Sequence, residues 1–217
     1  MEPGKFIVLE GIDGAGTTTQ AKLLYQSLLK KGISVQLTAE PSTGPIGSLI
    51  RKYLKGEEKF AERHLGAHIL ALLFAGDRID HLSREIFPAL EQGKVVISDR
   101  YLLSSLAYQS LECELDWVSM LNREAPPPDL TVLLDCPAEI ALKRIEQRYL
   151  WPELFENLEV QKKVREKYLK LARQLYSDLR IVVIDASRSI EEVSREVIRE
   201  VSNFLERAGF KSTASPG

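Results

Sequence analysis

The chain has 217 residues, 44% of them hydrophobic and 28% charged, the make-up of a soluble globular protein able to bury a sizeable core. Its net charge is -2, from 29 Lys and Arg against 31 Asp and Glu, so no global basic field recruits nucleic acid or an anionic membrane surface. Two cysteines, Cys113 and Cys136, give neither metal-ligand spacing nor a disulfide framework and fit a reducing, cytoplasmic setting.

No apolar run approaches the roughly 20 residues of a membrane span. The chain enters a strand pattern within its first residues, which leaves no signal peptide to expect. Strand-like apolar runs fall at 6–9, 33–38, 95–98, 130–134 and 181–184. Several are continuous Val/Ile/Leu stretches, as strands covered on both faces require. Helical patterns occupy 17–31, 46–55, 61–92, 102–112, 116–123, 138–148, 159–177 and 190–207. Strands alternating with helices predict an α/β fold with a parallel sheet, because parallel strands need crossovers. There is no internal repeat, and APPPD at 125–129 reads as a stiff loop, so one domain is expected. The small polar tail at 211–217 is expected to fray.

FIVLEGIDGAGTTTQ, residues 6–20, reads as strand, glycine turn and helix start. Gly11, Gly16 and Thr18 fall on the first glycine, second glycine and hydroxyl positions of the phosphate-binding pattern G-x-x-x-x-G-K-[ST]. Such a loop turns backbone N–H groups inward, and the helix N-terminus adds positive potential for an anion. Thr17 stands where the pattern has lysine. Thr18 would supply a hydroxyl to Mg²⁺, with Asp99 assisting through water. Ligands of open parallel sheets sit beyond the carboxyl ends of the strands. Those ends here carry Glu10, Glu40, Asp99, Asp135 and Asp185. Asp135 and Asp185 read as structural, like most capping carboxylates.

Arg100 follows Asp99 and is placed for a second phosphate. Phe74 and Arg78, four apart on a helix, offer a nucleobase a stacking face and an edge donor. Arg144 and Arg148, also four apart, lead into a Tyr-Leu-Trp-Pro loop that would serve as a lid carrying positive charge. The stretch 64–82 is apolar around most of its circumference, which suits either a core helix or a helix–helix dimer interface.

These stretches, together with EPSTGPIGSLIR, LLFAGDRIDHL, ISDRYLLSSLAYQ, PDLTVLLDCPAEIALKRI and ELFE, resemble the thymidylate kinase (dTMP kinase) family of archaea and bacteria over nearly the whole chain. Deoxynucleoside kinases, with DRS in place of DRY and no FAxDR segment, fit less well. The resemblance implies a three-layer P-loop kinase fold with a five-stranded parallel sheet flanked by helices. It implies one domain over 1–210 with a short lid at about 144–156. It also implies a cytoplasmic homodimer that passes the γ-phosphoryl group of ATP, with Mg²⁺, to dTMP in dTTP biosynthesis.

By the same resemblance, Gly11, Ile12, Asp13, Gly14, Ala15, Gly16, Thr17, Thr18, Thr19 and Arg144 would hold ATP and its phosphates. Asp13, Glu40, Arg51, Phe74, Arg78, Arg100, Ser104, Ser105, Tyr108 and Gln109 would hold dTMP, the tyrosine crowding the 2′ position. Asp13, Arg100, Arg144 and Arg148 would be catalytic, a lid arginine accompanying the small residue Ala15. Arg51, Arg78, Arg100, Arg144 and Arg148 are expected to converge on one cleft and to supply the charge that Thr17 lacks. The alternatives are a kinase of another monophosphate such as dUMP, or a poorly active nucleotide-binding homologue. A guanine-reading N-K-x-D motif is absent, which argues against a GTPase switch.

Overall fold

The computed structural model describes residues 4–62, 65–147 and 157–210. Five parallel strands form one sheet: β1 (Lys5–Gly11), β2 (Val35–Ala39), β3 (Val95–Asp99), β4 (Leu130–Asp135) and β5 (Ile181–Asp185). Their order is β2-β3-β1-β4-β5, so β1 is central. Ile7 pairs with Ile97 on one side and Leu130 on the other. Alternation along β1 feeds both faces, as a period of two dictates. Ile7 and Leu9 join a cluster with Leu24, Leu28, Val197 and Val201, whereas Phe6 and Val8 join Leu82, Ile86 and Tyr101. The two edge strands differ from this: β2 is half-buried to exposed throughout, and Val183 of β5 is 49% exposed.

The helices are α1 (Thr17–Lys30), α2 (Pro45–Leu54), α3 (Gly66–His81), α4 (Phe87–Glu91), α5 (Leu102–Tyr108), α6 (Leu115–Leu121), α7 (Ala138–Glu146), α8 (Leu158–Gln174), α9 (Tyr176–Leu179) and α10 (Ile190–Arg207). α10 shows how sequence dictates such an element. Ser189 and Glu192 form a reciprocal capping box at its start, and Val193, Val197, Val201 and Leu205 repeat every four residues on its buried face.

The helix expected over 61–92 is in fact three pieces. Gly66 opens α3 because a side chain there would strike the Phe60 ring, itself stacked on Tyr53 at 4.5 Å. After His81 the chain widens into a π-turn, Leu82–Ile86, before Pro88 in the first turn of α4. Proline cannot donate to a preceding carbonyl, and the wider turn relieves the mismatch. The circumference of α3 is also less uniform than expected. Asp77, Arg78 and His81 are buried, whereas Leu72 is 54% and Ile79 43% exposed.

Candidate active site

The glycine loop leaves the carboxyl end of β1 and closes on α1. Gly14 has φ 79°, and a Cβ there would lie 2.3 Å from the Ala141 carbonyl oxygen. Gly16, at φ 98°, caps α1 without any side-chain hydrogen bond, so the first N–H groups of that helix remain open to an anion. Thr17 is buried, at 6% exposure. Thr18 is exposed, and its Oγ1 donates a short hydrogen bond to Asp99 Oδ2. Asp99 Oδ1 is buried without a partner among the described residues. A hydroxyl beside an under-satisfied carboxylate is a hard, all-oxygen donor set of the kind Mg²⁺ takes.

Asp13, within the loop, is held from three elements. Its Oδ1 accepts from Arg100 Nη2 at 2.6 Å, and its Oδ2 accepts from Tyr108 Oη and Gln161 Nε2, each at 3.0 Å. Arg100 sits at φ 72°, a left-handed backbone unusual for a side chain of its size, and its carbonyl accepts from Ser98 Oγ at 2.7 Å. Burial works against the Arg100 charge, yet Tyr108, Asp13, Tyr168 and Asp99 together push its pKa well above the ordinary value. Below it, Glu10 is fully buried and accepts from the N–H groups of Tyr101 and Ser104, from Ser104 Oγ at 2.5 Å and from Tyr168 Oη at 3.1 Å. Burial pushes the Glu10 carboxyl pKa up, and those hydrogen bonds with the Arg100 charge oppose it.

Beyond Asp13 opens a cavity of about 150 Å³. Glu40, Phe74, Arg78, Arg100, Ser104, Ser105, Tyr108 and Gln109 all line it. Phe74 is half-buried on α3, while Arg78, one turn on, is 1% exposed. Arg78 Nη1 donates to Asn122 Oδ1; Nη2 reaches Glu40 Oε2 at 2.7 Å, the Tyr101 carbonyl at 2.9 Å and Ser105 Oγ at 3.0 Å. Its Nε is buried and unpartnered among the described residues. Glu40 is therefore occupied by protein partners. Arg51 lies outside the lining, donating to the Pro41 carbonyl at 2.8 Å and to Ser48 Oγ at 3.4 Å.

On the other side of the loop a hollow of about 410 Å³ is lined by Ala15, Gly16, Thr19, Arg144 and Ala186, among others. Arg144 donates to the carbonyls of Ala186 at 2.9 Å and Arg188 at 3.2 Å. Arg148 and the rest of the expected lid to 156 lie outside the described residues. The expected convergence of five arginines thus resolves differently. Arg100 stands beside the loop, Arg78 is buried in the cavity wall, Arg51 lies outside the lining, and Arg144 is on the far side.

The glycine loop thus lies between a cavity walled in part by Phe74, Tyr101 and Tyr108 and a second hollow. The family model described as thymidylate kinase matches residues 9–197. The chain belongs to the thymidylate kinase family. Relatives named "Probable thymidylate kinase" include one from Pyrococcus horikoshii, 45% identical over 93% of this chain and 98% of the relative. One from Thermococcus gammatolerans is 49% identical over 90% and 94%. A third, from Pyrobaculum aerophilum, is 44% identical over 92% and 97%.

Membership leaves several residues of the site to be read from the structure alone. Gln161, Arg165 and Tyr168 lie on one face of α8 and fasten it to Asp13, Asp135 and Glu10. Gln161 shares the buried stripe of Val164, Tyr168 and Leu171, and a polar residue on an apolar stripe is the signal that marks it. Asp135 accepts from Arg165 Nε at 2.6 Å and Nη2 at 3.0 Å, and Asp185 accepts from Ser187. Both serve structure. Asn122 and His81 carry no sequence signal of comparable strength.

Proposed function

We propose that this protein transfers the γ-phosphoryl group of ATP to dTMP, giving dTDP and ADP. The observation that carries this reading is the Asp13–Arg100 pair, which joins the phosphate loop to the wall of the acceptor cavity. ATP lies with its phosphates over Gly11 to Thr19 and its base toward Arg144 and Ala186. dTMP lies in the cavity with its base on Phe74 and its phosphate toward Arg100. The acceptor phosphate is already anionic at neutral pH, so no general base is required. Rate comes from alignment of the two phosphates and from positive charge around the moving group.

Thr18 and Asp99 fit Mg²⁺ through their oxygen donors. That ion, when bound with ATP, neutralises phosphate charge. Among the described residues no group of three or more His, Cys, Asp or Glu could hold a metal. The nucleotide's own phosphates would therefore complete the ligand set. Because Thr17 brings no charge, Arg100 and the lid arginines supply the cations of the transfer. Arg51, anchored on the Pro41 carbonyl outside the cavity lining, holds the dTMP phosphate together with Arg100.

The protein works as one domain across 1–210 with its lid over 144–156, in the cytoplasm, where Cys113 and Cys136 remain free thiols. Among the described residues no helix is long and apolar enough to cross a membrane. Leu65 at the N-cap of α3 and Leu72 and Ile79 within it, seven apart and 44%, 54% and 43% exposed, make a stripe that a second copy covers, giving a homodimer. The deciding experiment is a coupled ADP-release assay with ATP and Mg²⁺ across all nucleoside monophosphates. dTMP is expected to give the highest kcat/KM. A preference for dUMP or a purine monophosphate would overturn the acceptor, and flat rates would overturn the activity.

A further inference from the structure

The donor set of Arg78 is fixed from behind, and the fixing chain runs well past the acceptor cavity. Glu40 Oε2 accepts from Arg78 Nη2 at 2.7 Å, and its Oε1 faces His81 Nδ1 at 3.2 Å. His81 is 1% exposed, and its Nε2 meets Thr38 Oγ1 at 2.6 Å. Thr38 in turn donates to Glu85 Oε2 at 2.8 Å. Arg78 and His81 are one turn apart on α3, Thr38 is on β2, and Glu85 lies in the π-turn, a feature that recurs at functional sites. A file of Arg78, Glu40 and His81, all buried, followed by the half-buried Thr38 and Glu85, thus connects the cavity wall to the edge strand.

We propose that His81 is a specificity-determining positioning residue for the acceptor base. With Thr38 and Glu85 it fixes Glu40, and through Glu40 the orientation in which Arg78 meets the base. The inference rests on the dTMP kinase reading. Both terminal nitrogens of Arg78 are committed to protein acceptors, so Nε is the donor left over. A keto oxygen at the pyrimidine 4-position completes it. A 4-amino group would face donor with donor and leave both unsatisfied, which is how a site built for one edge rejects the other. Releasing one oxygen of Glu40 frees the carboxylate to turn and lets Arg78 follow. His81 itself touches neither the base nor the phosphates, so the effect falls on acceptor affinity and choice.

The test is steady-state kinetics on dTMP and dCMP with the wild-type protein and the variants Thr38→Val, Thr38→Ser and His81→Gln. Wild-type activity on dTMP checks the underlying reading by itself, separately from the variants. Thr38→Val keeps the strand-compatible shape and removes the hydroxyl. It and His81→Gln are expected to raise the KM for dTMP about tenfold, with kcat and the KM for ATP within about twofold, as loss of a buried hydrogen bond predicts. The ratio of kcat/KM between dTMP and dCMP narrows by a similar factor. Thr38→Ser, which restores the hydroxyl, stays at the wild-type values. An unchanged dTMP KM and ratio in Thr38→Val overturns the proposal, and so does a Thr38→Ser variant as impaired as Thr38→Val. Should His81→Gln fail to fold, the two Thr38 variants decide alone.

Discussion

Arg100 Nη2 lies 2.6 Å from Asp13 Oδ1, so a side chain of the phosphate loop and the cation that follows β3 are one unit. Arg100→Met is expected to lower kcat by about 10²–10³, the range for removing a charged group that meets the transition state. Arg100→Lys does not rescue it, because a single ammonium lacks the fork that reaches Asp13 and the Ser104 and Tyr168 oxygens together. The ADP-release assay, with both KM values measured, reads this directly. A lysine variant at wild-type rate would mean that charge alone suffices.

Thr17→Lys is expected to keep or raise turnover, since it restores a cation to a loop otherwise without one. A complete loss of activity would assign Thr17 a role that burial alone does not suggest. Arg148→Ala is expected to cost at least ~2–3 kcal/mol of transition-state stabilisation. A neutral result would move the compensating charge to Arg100 or Arg144. Measuring the two variants and their double mutant in one assay reveals whether the new lysine relieves the need for Arg148.

Replacing Leu72 and Ile79 together by glutamate is expected to convert a dimer into a monomer at micromolar concentration, read by sedimentation velocity. A wild-type protein that is itself monomeric there would reject the interface.

Stability is expected to respond to pH with two opposite signs. The Glu192 carboxyl has its pKa lowered, first by the Ser189 side chain, and Asp185 has its own lowered, first by Ser187. Their contributions are present above the ordinary carboxylate values and are lost as pH falls through the lowered folded ones. Glu10 has the reverse sign. Burial raises its pKa, so its contribution is full below the ordinary glutamate value and is lost as pH rises through the raised one. Urea midpoints of Ser189→Ala should fall by ~1 kcal/mol equivalent at neutral pH, the worth of an N-cap. That deficit should shrink toward acid. Glu10→Gln should be less stable throughout, with a flatter decline on the alkaline side. A Ser189→Ala deficit that is constant across the acid range would remove the linkage.

The parallel sheet and the glycine loop were legible because each rests on local chemistry: continuous apolar runs at strand length, and three loop glycines between strand and helix. Strand ends fell within two residues of expectation, and α10 begins and ends where its apolar spacing says. The partition of α3 was not legible, because the reason lies in Phe60 packing on Gly66 and in the turn before Pro88. In the candidate site, residue spacing pointed to Arg100, Phe74 and Arg78, and the family resemblance to Asp13. Spacing could not show that Arg78 would spend its terminal nitrogens on Glu40, Asn122 and Ser105, since those partners are 27 to 44 residues away in sequence. Gln161 and Tyr168 escaped notice for the same reason. Their partners, Asp13 and Glu10, are 148 and 158 residues distant.

The sheet order also bears on how the molecule comes apart. The phosphate loop hangs from β1, the middle strand, whereas Glu40 follows β2 and Ala186 follows β5, the two edges. Edge strands open first, and central ones exchange their amide hydrogens only on global unfolding. Backbone amides of Ile7 to Leu9 should therefore be the slowest to exchange, and those of β2 and β5 the fastest among the strands. The margins that carry Glu40 and Ala186 can loosen, and can accumulate substitutions, while the glycine loop's strand stays folded.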